Sequence, residues 1–179
     1  GNRILKKCGL KPRSRDMKDW TELVQRVSSA KKEVKIGIVG KYFGTGKFIL
    51  SDSYISVIEA IKHAAWHFGR KPDVLWLGAE AYEKDAHRME EELSSLDGIL
   101  VPGGFGGRGV EGKIKAVEYA RTRAKPYLGL CYGMHMMAIE FARNVLGMED
   151  ANTTEVNPKT THPVIDVMAD QKDKIFTKN

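Results

Sequence analysis

The chain has 179 residues, 42% of them hydrophobic and 29% charged, which is ordinary for a globular domain and excludes a disordered chain. Its formal net charge of +6 comes mainly from Lys and Arg near the two ends, and without interleaved aromatic residues this pattern predicts solvated connector charge and no nucleic-acid surface. Two cysteines are too few for a disulfide framework and no apolar run could span a membrane, so we expect a reduced protein of the cytoplasm.

Residues 1–32 are predicted to form a connector that leads into a main domain of residues 33–179. Asp16 is expected to cap a short helix after a basic run. The apolar residues of that helix recur at helical spacing, which places them on one face. They are Met17, Trp20, Val24 and Val27.

Short apolar strands alternate with amphipathic helices through the main domain. The predicted strands are Val34–Gly40, Val74–Leu77, Ile99–Val101, Tyr127–Leu130 and, after Pro163, Val164–Met168. The predicted helices begin at Ser51–Ser53 (with Ile55, Ile58, Ile61, Ala65 and Phe68 on one face) and continue with Asp85–Leu93, Val110–Arg121 and Met134–Leu146. This alternation predicts an α/β fold with a mostly parallel sheet flanked by helices on both faces.

Cys131 stands where a predicted strand must turn sharply into a helix. Gly129 and Gly133 flank it, and this Gly-x-Cys-x-Gly pattern is the cysteine form of a nucleophile elbow. The amino end of the following helix favours a thiolate and offers backbone N–H groups to an oxyanion. A buried structural cysteine is the alternative that the motif alone leaves open.

Two glycine-rich loops follow predicted strands. The loop Gly44–Lys47 lacks the Gly and the Ser or Thr that a phosphate loop requires, because Lys41 and Phe48 occupy those positions. The second loop has five glycines within residues 103–109 and follows the strand that ends at Val101. Parallel strands end at the same edge of a sheet, so we expect this glycine run to adjoin Cys131 and to supply an oxyanion donor from Gly103–Phe105, with the Tyr132 amide as the second donor.

No histidine is placed as a convincing general base for Cys131. His63 and His67 have metal-ligand spacing but lack the Glu of the metalloprotease motif, so no metal site is predicted. His87 lies in a charged segment and His162 precedes a strand. His135 lies one helical turn after Cys131 and is expected to line the pocket with its ring beside the sulfur.

Taken together, these blocks resemble the glutaminase domains of the CTP synthase family, which are class I (triad) glutamine amidotransferases with a flavodoxin-like fold. The similarity runs from about Cys8 to about Met168. The residues that carry it are Lys35–Tyr42, Ser53–Val57, Pro102–Gly109, Gly129–Met134 and Ala151–Glu155.

The resemblance implies that Cys131 attacks the side-chain amide of L-glutamine and that a glutamyl thioester is then hydrolysed to release ammonia. It implies a glutamine site that contains Gly104, Phe105, Tyr132, Gly133, Met134, His135 and Glu155. Glu155 would hold the α-amino group of the substrate. The ammonia would serve the ATP-dependent amination of UTP by a synthetase domain of the same polypeptide, of which residues 1–32 would be the end. ATP and Mg²⁺ would bind to that domain, GTP would be an allosteric activator, and the whole enzyme would be a tetramer.

Three departures from the family pattern are expected to matter. Tyr132 and His135 stand where the family usually has Leu and Gln. Tyr132 should be tolerated because the site uses mainly its backbone, whereas His135 is expected to alter the polar contacts of the pocket. The family's His-x-Glu base pair and its arginine for the substrate carboxylate are not found up to Asn179, so a polypeptide ending there should be a poor glutaminase. Two other functions stay open, namely another cysteine-elbow enzyme of the superfamily and a catalytically silent regulatory domain.

Overall fold

The computed structural model describes residues 2–11, 16–41 and 54–171. Its helices are α1 (Asn2–Lys7), α2 (Lys18–Ser29), α3 (Ile55–His67), α4 (Ala79–Lys84), α5 (Ala86–Ser94), α6 (Val110–Thr122) and α7 (Tyr132–Asn144). Its strands are β1 (Lys32–Gly40), β2 (Arg70–Gly78), β3 (Gly98–Val101), β4 (Tyr127–Gly129), β5 (Asn152–Thr153) and β6 (Pro163–Ile165). The predicted helix start at 51–53 and the loop at 44–47 lie outside the described residues.

Four parallel strands form the main sheet in the order β2-β1-β3-β4. The predicted parallel sheet is therefore confirmed. Since β3 and β4 are neighbours, Val101 pairs with Gly129 and the loops that follow these strands leave the sheet side by side. This arrangement brings the glycine run next to Cys131.

Helices cover both faces of this sheet because the side chains of its strands alternate between them. On one face, Ile38 of β1 and Leu100 of β3 pack with Ile58 of α3. On the other face, the neighbouring residues Val39 and Val101 pack against α4, α5 and α6. A separate apolar cluster joins α6 to α7, and it holds the helix that follows Cys131 against the rest of the domain.

Several boundaries differ from the sequence prediction. The helix α7 begins at Tyr132, directly after Cys131, and ends at Asn144. The last predicted strand spans only Pro163–Ile165 and pairs with β5 in a small parallel sheet apart from the main one. The helix α4 was not predicted, because its sequence Ala-Glu-Ala-Tyr-Glu-Lys carries too little apolar periodicity to indicate a helix.

The connector helix α2 exposes the face that its sequence predicts to be apolar. Trp20 is 64% exposed and Val24 is 62% exposed. Asp16 accepts a hydrogen bond from the Lys18 amide, although the capping position is Met17, one residue later than expected. No helix among the described residues is both long enough and apolar enough to cross a bilayer.

Candidate active site

Cys131 occupies a strained turn between β4 and α7. Its backbone has φ +51° and ψ −105°, and Ala124 is the other described non-glycine residue with positive φ. A non-glycine residue in such a conformation costs on the order of 1–3 kcal/mol, and such strain clusters at functional sites. Cys131 is also exposed, as a nucleophile at such an elbow has to be.

The two flanking glycines are needed because the turn is closely packed. A Cβ on Gly133 would lie 2.0 Å from the carbonyl oxygen of Val101. A Cβ on Gly129 would lie 2.5 Å from the carbonyl carbon of Gly133. Any side chain at either position would push α7 away from the sheet and displace Cys131. Gly133 therefore faces β3, and its contribution in this geometry is packing.

The first amides of α7 leave one N–H available beside Cys131. The amides of Met134 and His135 both donate to the carbonyl oxygen of Cys131, and that of Gly133 donates to Leu130. Within the described residues, the Tyr132 amide has no acceptor. It is the first residue of the helix, where backbone N–H groups have no intrahelical partner. This amide is therefore a suitable donor to a developing oxyanion.

The glycine run lies against the elbow, as the strand order requires. A Cβ on Gly103 would lie 3.7 Å from the Cβ of Cys131. Neighbouring side chains fix the run in place. The Gly106 amide donates to Glu155 Oε1 at 2.7 Å, and Lys41 Nζ donates to the carbonyl oxygen of Phe105. The Lys41 ammonium also lies 5.0 Å from the centroid of the Phe105 ring.

Glu155 and His135 line one cleft beside this loop. The cleft measures about 710 Å³ and lies between α7 and the β5–β6 pair. Its other polar lining residues are Thr153, Thr154, Thr160 and Asp166. His135 Nδ1 is buried without a hydrogen-bond partner among the described residues, whereas Glu155 is exposed and uses one oxygen for Gly106. The cleft thus contains two carboxyl groups, of Glu155 and Asp166, and the imidazole of His135.

The Tyr132 side chain contributes more than the sequence analysis expected. It is only 1% exposed, and its hydroxyl donates to the carbonyl oxygen of Gly106 at 2.8 Å. Burial, with a smaller contribution from the nearby Glu155 carboxylate, raises the pKa of Tyr132 to about 12. The side chain therefore adds a contact to the backbone role predicted for this position, because the hydroxyl holds the glycine run.

Three further residues support the site, and sequence reasoning missed them. Tyr127 donates its hydroxyl to the carbonyl oxygen of Gly133 at 2.8 Å, and burial raises its pKa. Lys113 is buried beneath the glycine run, with its ammonium 5.0 Å from the centroid of the Tyr132 ring. Lys41 was noted in the sequence only for breaking a phosphate-loop pattern. In the sequence, Lys113 could have been noticed only because it is a charged residue on the apolar face of the predicted helix.

The remaining candidate residues lie beside Cys131 or outside the cleft. Phe105 and Met134 are exposed beside the elbow, at 69% and 49%. His162 Nδ1 forms a hydrogen bond with the Asp150 carboxyl group, and this contact is the main reason that the pKa of Asp150 is lowered. Within the described ranges, no side chain hydrogen-bonds to Cys131 and no group of three acidic, His or Cys side chains could hold a metal.

Comparison with known proteins gives consistent results. Residues 49–178 match the family described as Glutamine amidotransferase class-I. The chain is 49% identical over 170 residues to the CTP synthase of Carboxydothermus hydrogenoformans, and 46% identical over 172 residues to that of Methanopyrus kandleri. These matches cover 95% and 96% of this chain but only 30% and 31% of the relatives.

A solved structure is also similar. It is the glutaminase domain of Trypanosoma brucei CTPS with bound acivicin, at a TM-score of 0.72 and 38% sequence identity. The match covers 79% of this chain and 53% of the solved one.

Proposed function

Since this chain belongs to the class-I glutamine amidotransferase family, we propose that it is the glutaminase part of a CTP synthase and that Cys131 is its nucleophile. The observation that carries the proposal is the strained elbow. Cys131 is held at φ +51° beside an available Tyr132 amide and the glycine run. A catalytically silent domain would gain nothing from this strain, so the geometry favours an enzyme.

In the proposed reaction, the Cys131 thiolate attacks the side-chain amide carbon of L-glutamine. A C–S bond forms, and the carbonyl oxygen takes the negative charge between the Tyr132 amide and the backbone of Gly104. Collapse breaks the C–N bond, and ammonia leaves after its nitrogen accepts a proton from solvent. Water then attacks the thioester and loses its protons to solvent, the C–S bond breaks, and glutamate and the thiolate are released.

The cleft would select free glutamine through its charges. Glu155 accepts a hydrogen bond from the Gly106 amide with one carboxylate oxygen, and its other oxygen would bind the α-ammonium group of the substrate. His135 Nδ1 is buried and has no hydrogen-bond partner in the part of the chain that the structure describes, which suits a polar group of the ligand. Phe105 and Met134 would border the substrate's carbon chain. A peptide-bound glutamine lacks the α-ammonium group, so it would leave Glu155 without a partner.

In the whole enzyme, the ammonia would aminate UTP in an ATP- and Mg²⁺-dependent step on a synthetase domain. The chain spans about 30% of the length of the CTP synthases that it matches, which leaves room in such proteins for that domain. We extend the same proposal to activation by GTP and to a homo-oligomeric, tetrameric enzyme.

Covalent labelling tests the proposed nucleophile. We expect acivicin to modify Cys131 and to leave Cys8 unmodified, as mass spectrometry of a digest would show. Both cysteines are exposed, so iodoacetamide should label both and serves as the control for simple accessibility. An acivicin adduct on Cys8, or on neither cysteine, would contradict the proposal.

A second test concerns the whole reaction. In a polypeptide that joins this chain to a synthetase domain, Cys131→Ala should abolish glutamine-dependent CTP formation. Ammonia-dependent formation should continue, since it does not need the thiol. If both activities survived, another residue would have to supply the nucleophile.

A further inference from the structure

Lys113 is a buried cation that has few contacts to stabilise its charge. It is the fourth residue of α6 and is 1% exposed. Within the described residues, its ammonium has an aromatic ring 5.0 Å away but no hydrogen-bond acceptor and no carboxylate. Burial, with a smaller contribution from Lys41, lowers its pKa to about 8. A buried charge without a partner destabilises a domain, so its presence next to a reactive loop calls for a role in that loop.

The ring that Lys113 contacts belongs to Tyr132, which connects the two halves of the site. Its backbone opens the helix after Cys131, and its hydroxyl reaches the carbonyl oxygen of Gly106 at 2.8 Å. The amide of the same Gly106 is held by Glu155. Gly106 is thus fixed through both its N–H and its C=O, and one of these two contacts depends on the orientation of the Tyr132 ring.

Both side chains also border the backbone of Gly104. A Cβ on Gly104 would lie 3.9 Å from Tyr132 Cδ1 and 4.0 Å from Lys113 Nζ. A cation within about 6 Å of an aromatic centroid is attracted to the face of the ring, and this attraction is stronger where water is excluded. The ammonium therefore holds the Tyr132 ring and places a positive charge behind the peptide group that would receive an oxyanion.

We infer that Lys113 and the Tyr132 side chain are a buried positioning pair that holds the glycine run at the distance from Cys131 that an oxyanion site requires. Neither side chain touches the reacting atoms in this scheme. They act through the Gly104 and Gly106 peptides. The inference rests on the proposed glutamine chemistry at Cys131, and it assigns to α6 and to the Tyr132 hydroxyl a part in that chemistry.

Two reagents with different needs separate this role from a general structural one. With acivicin, the thiolate attacks the chlorine-bearing ring carbon, a C–S bond forms, the C–Cl bond breaks and chloride leaves. Charge builds on the ring nitrogen during this attack, so the reaction needs the oxyanion donors. With an aromatic disulfide reagent, the thiolate attacks a sulfur, a mixed disulfide forms and an aromatic thiolate leaves, without any need for those donors.

The variants are Lys113→Met, which keeps the length without the charge, and Tyr132→Phe, which removes only the hydroxyl. Both are made in a Cys8→Ser background so that Cys131 is the single thiol. We expect each variant to slow inactivation by acivicin roughly ten- to a hundredfold, the range for small misplacements of reacting groups. The disulfide reagent should react within about twofold of the parent rate. The double variant should be no slower than the slower single one, because the two residues act as a unit.

Lys115→Met is the matched control, since Lys115 lies on the same helix but donates to the carbonyl oxygens of Tyr82 and Glu83. It should react with acivicin at the parent rate. Unchanged acivicin rates in Lys113→Met and Tyr132→Phe would overturn the inference, as would an equal loss with both reagents. A parent protein that reacts with the disulfide reagent but not with acivicin would instead refute glutamine as the substrate, and the role of the pair with it.

Discussion

Gly133→Ala is the most direct test of the elbow, because its effect follows from one distance. The new Cβ would lie 2.0 Å from the carbonyl oxygen of Val101 and 2.9 Å from the carbon of that carbonyl. Ordinary close contacts between carbon and oxygen are about 3.3 Å, so the groups must separate by more than about 1 Å. The oxygen cannot turn away freely, since it also accepts a hydrogen bond from the Leu130 amide at 3.0 Å. The helix α7 must therefore move, and Cys131 with it.

We expect this substitution to lower the free energy of unfolding by roughly 3 kcal/mol or more, at the upper end of overpacking costs, because the atom in the way belongs to the backbone. A 1 Å displacement of Cys131 should also slow its reaction with acivicin about a hundredfold. Urea unfolding followed by circular dichroism measures the first effect, and loss of the free thiol under excess acivicin measures the second.

Gly78→Ala is the matched control, because a Cβ there has nothing within 4 Å and the backbone φ of −79° suits alanine. Its stability should stay within about 0.5 kcal/mol of the parent. If Gly133→Ala behaved like Gly78→Ala in both measurements, the close packing of α7 on β3 would not be what places the nucleophile.

Three other predictions concern charged groups. The pKa of Lys113 is 10.5 in the unfolded chain and about 8 in the folded protein, so folding disfavours its protonated form. The free energy of unfolding should therefore rise between pH 8 and pH 10.5, by up to about 3 kcal/mol relative to Lys113→Met, when both proteins are titrated with urea. Equal pH dependence of the two proteins would contradict this. Arg121→Ala should lower the free energy of unfolding by roughly 2–3 kcal/mol in the same assay, because the carboxylate of Glu140, which is 1% exposed, loses the guanidinium that binds it. Arg123→Ala is the control: it removes an ion pair between exposed side chains and should lower the free energy of unfolding by less than about 1 kcal/mol. Glu155→Gln keeps an acceptor oxygen for the Gly106 amide but removes the negative charge. It should weaken acivicin binding about tenfold or more, with a smaller fall in the maximal inactivation rate. A larger fall in the maximal rate than in the binding would mean that Glu155 acts on the glycine run and not on the ligand.

The buried lysine illustrates a conflict between stability and a preorganised site. An apolar residue at position 113 would fit the surroundings of α6 better, since Ile114 and Val117 of the same helix belong to an apolar cluster. Lys113→Met should therefore be more stable at neutral pH and less reactive towards acivicin. A residue with a purely structural role would lose both properties together.

The acidic and basic groups at the cleft also explain why the glycine run is ordered without regular structure. Its Gly106 amide, its Gly106 carbonyl and its Phe105 carbonyl are each held by a side chain from another element. Backbone groups held in this way need no rearrangement when charge develops nearby, which is the condition for effective stabilisation of an oxyanion.

Local patterns were sufficient to predict the main elements. The apolar runs at Val34–Gly40 and Ile99–Val101 identified two strands, and both lie within the observed β1 and β3. The pattern around Cys131 identified the elbow, because a strand, two glycines and an apolar helix are adjacent in the chain. The same reasoning also predicted the helix α2, whose apolar stripe is exposed, since periodicity describes a face but not what covers it.

The sequence by itself determined the alternation of strands and helices, the position of Cys131 at a turn and the glycines that allow that turn, because each depends on residues a few positions apart. Only the tertiary structure decided which distant side chains hold the loop. The Glu155 carboxylate reaches an amide 49 residues away, and the Tyr132 hydroxyl reaches a carbonyl 26 residues away. Such contacts depend on strand order and helix packing, which place Lys113 and Tyr132 next to the glycine run. The sequence shows Lys113 only as a lysine on an apolar helix face and does not show which loop it adjoins.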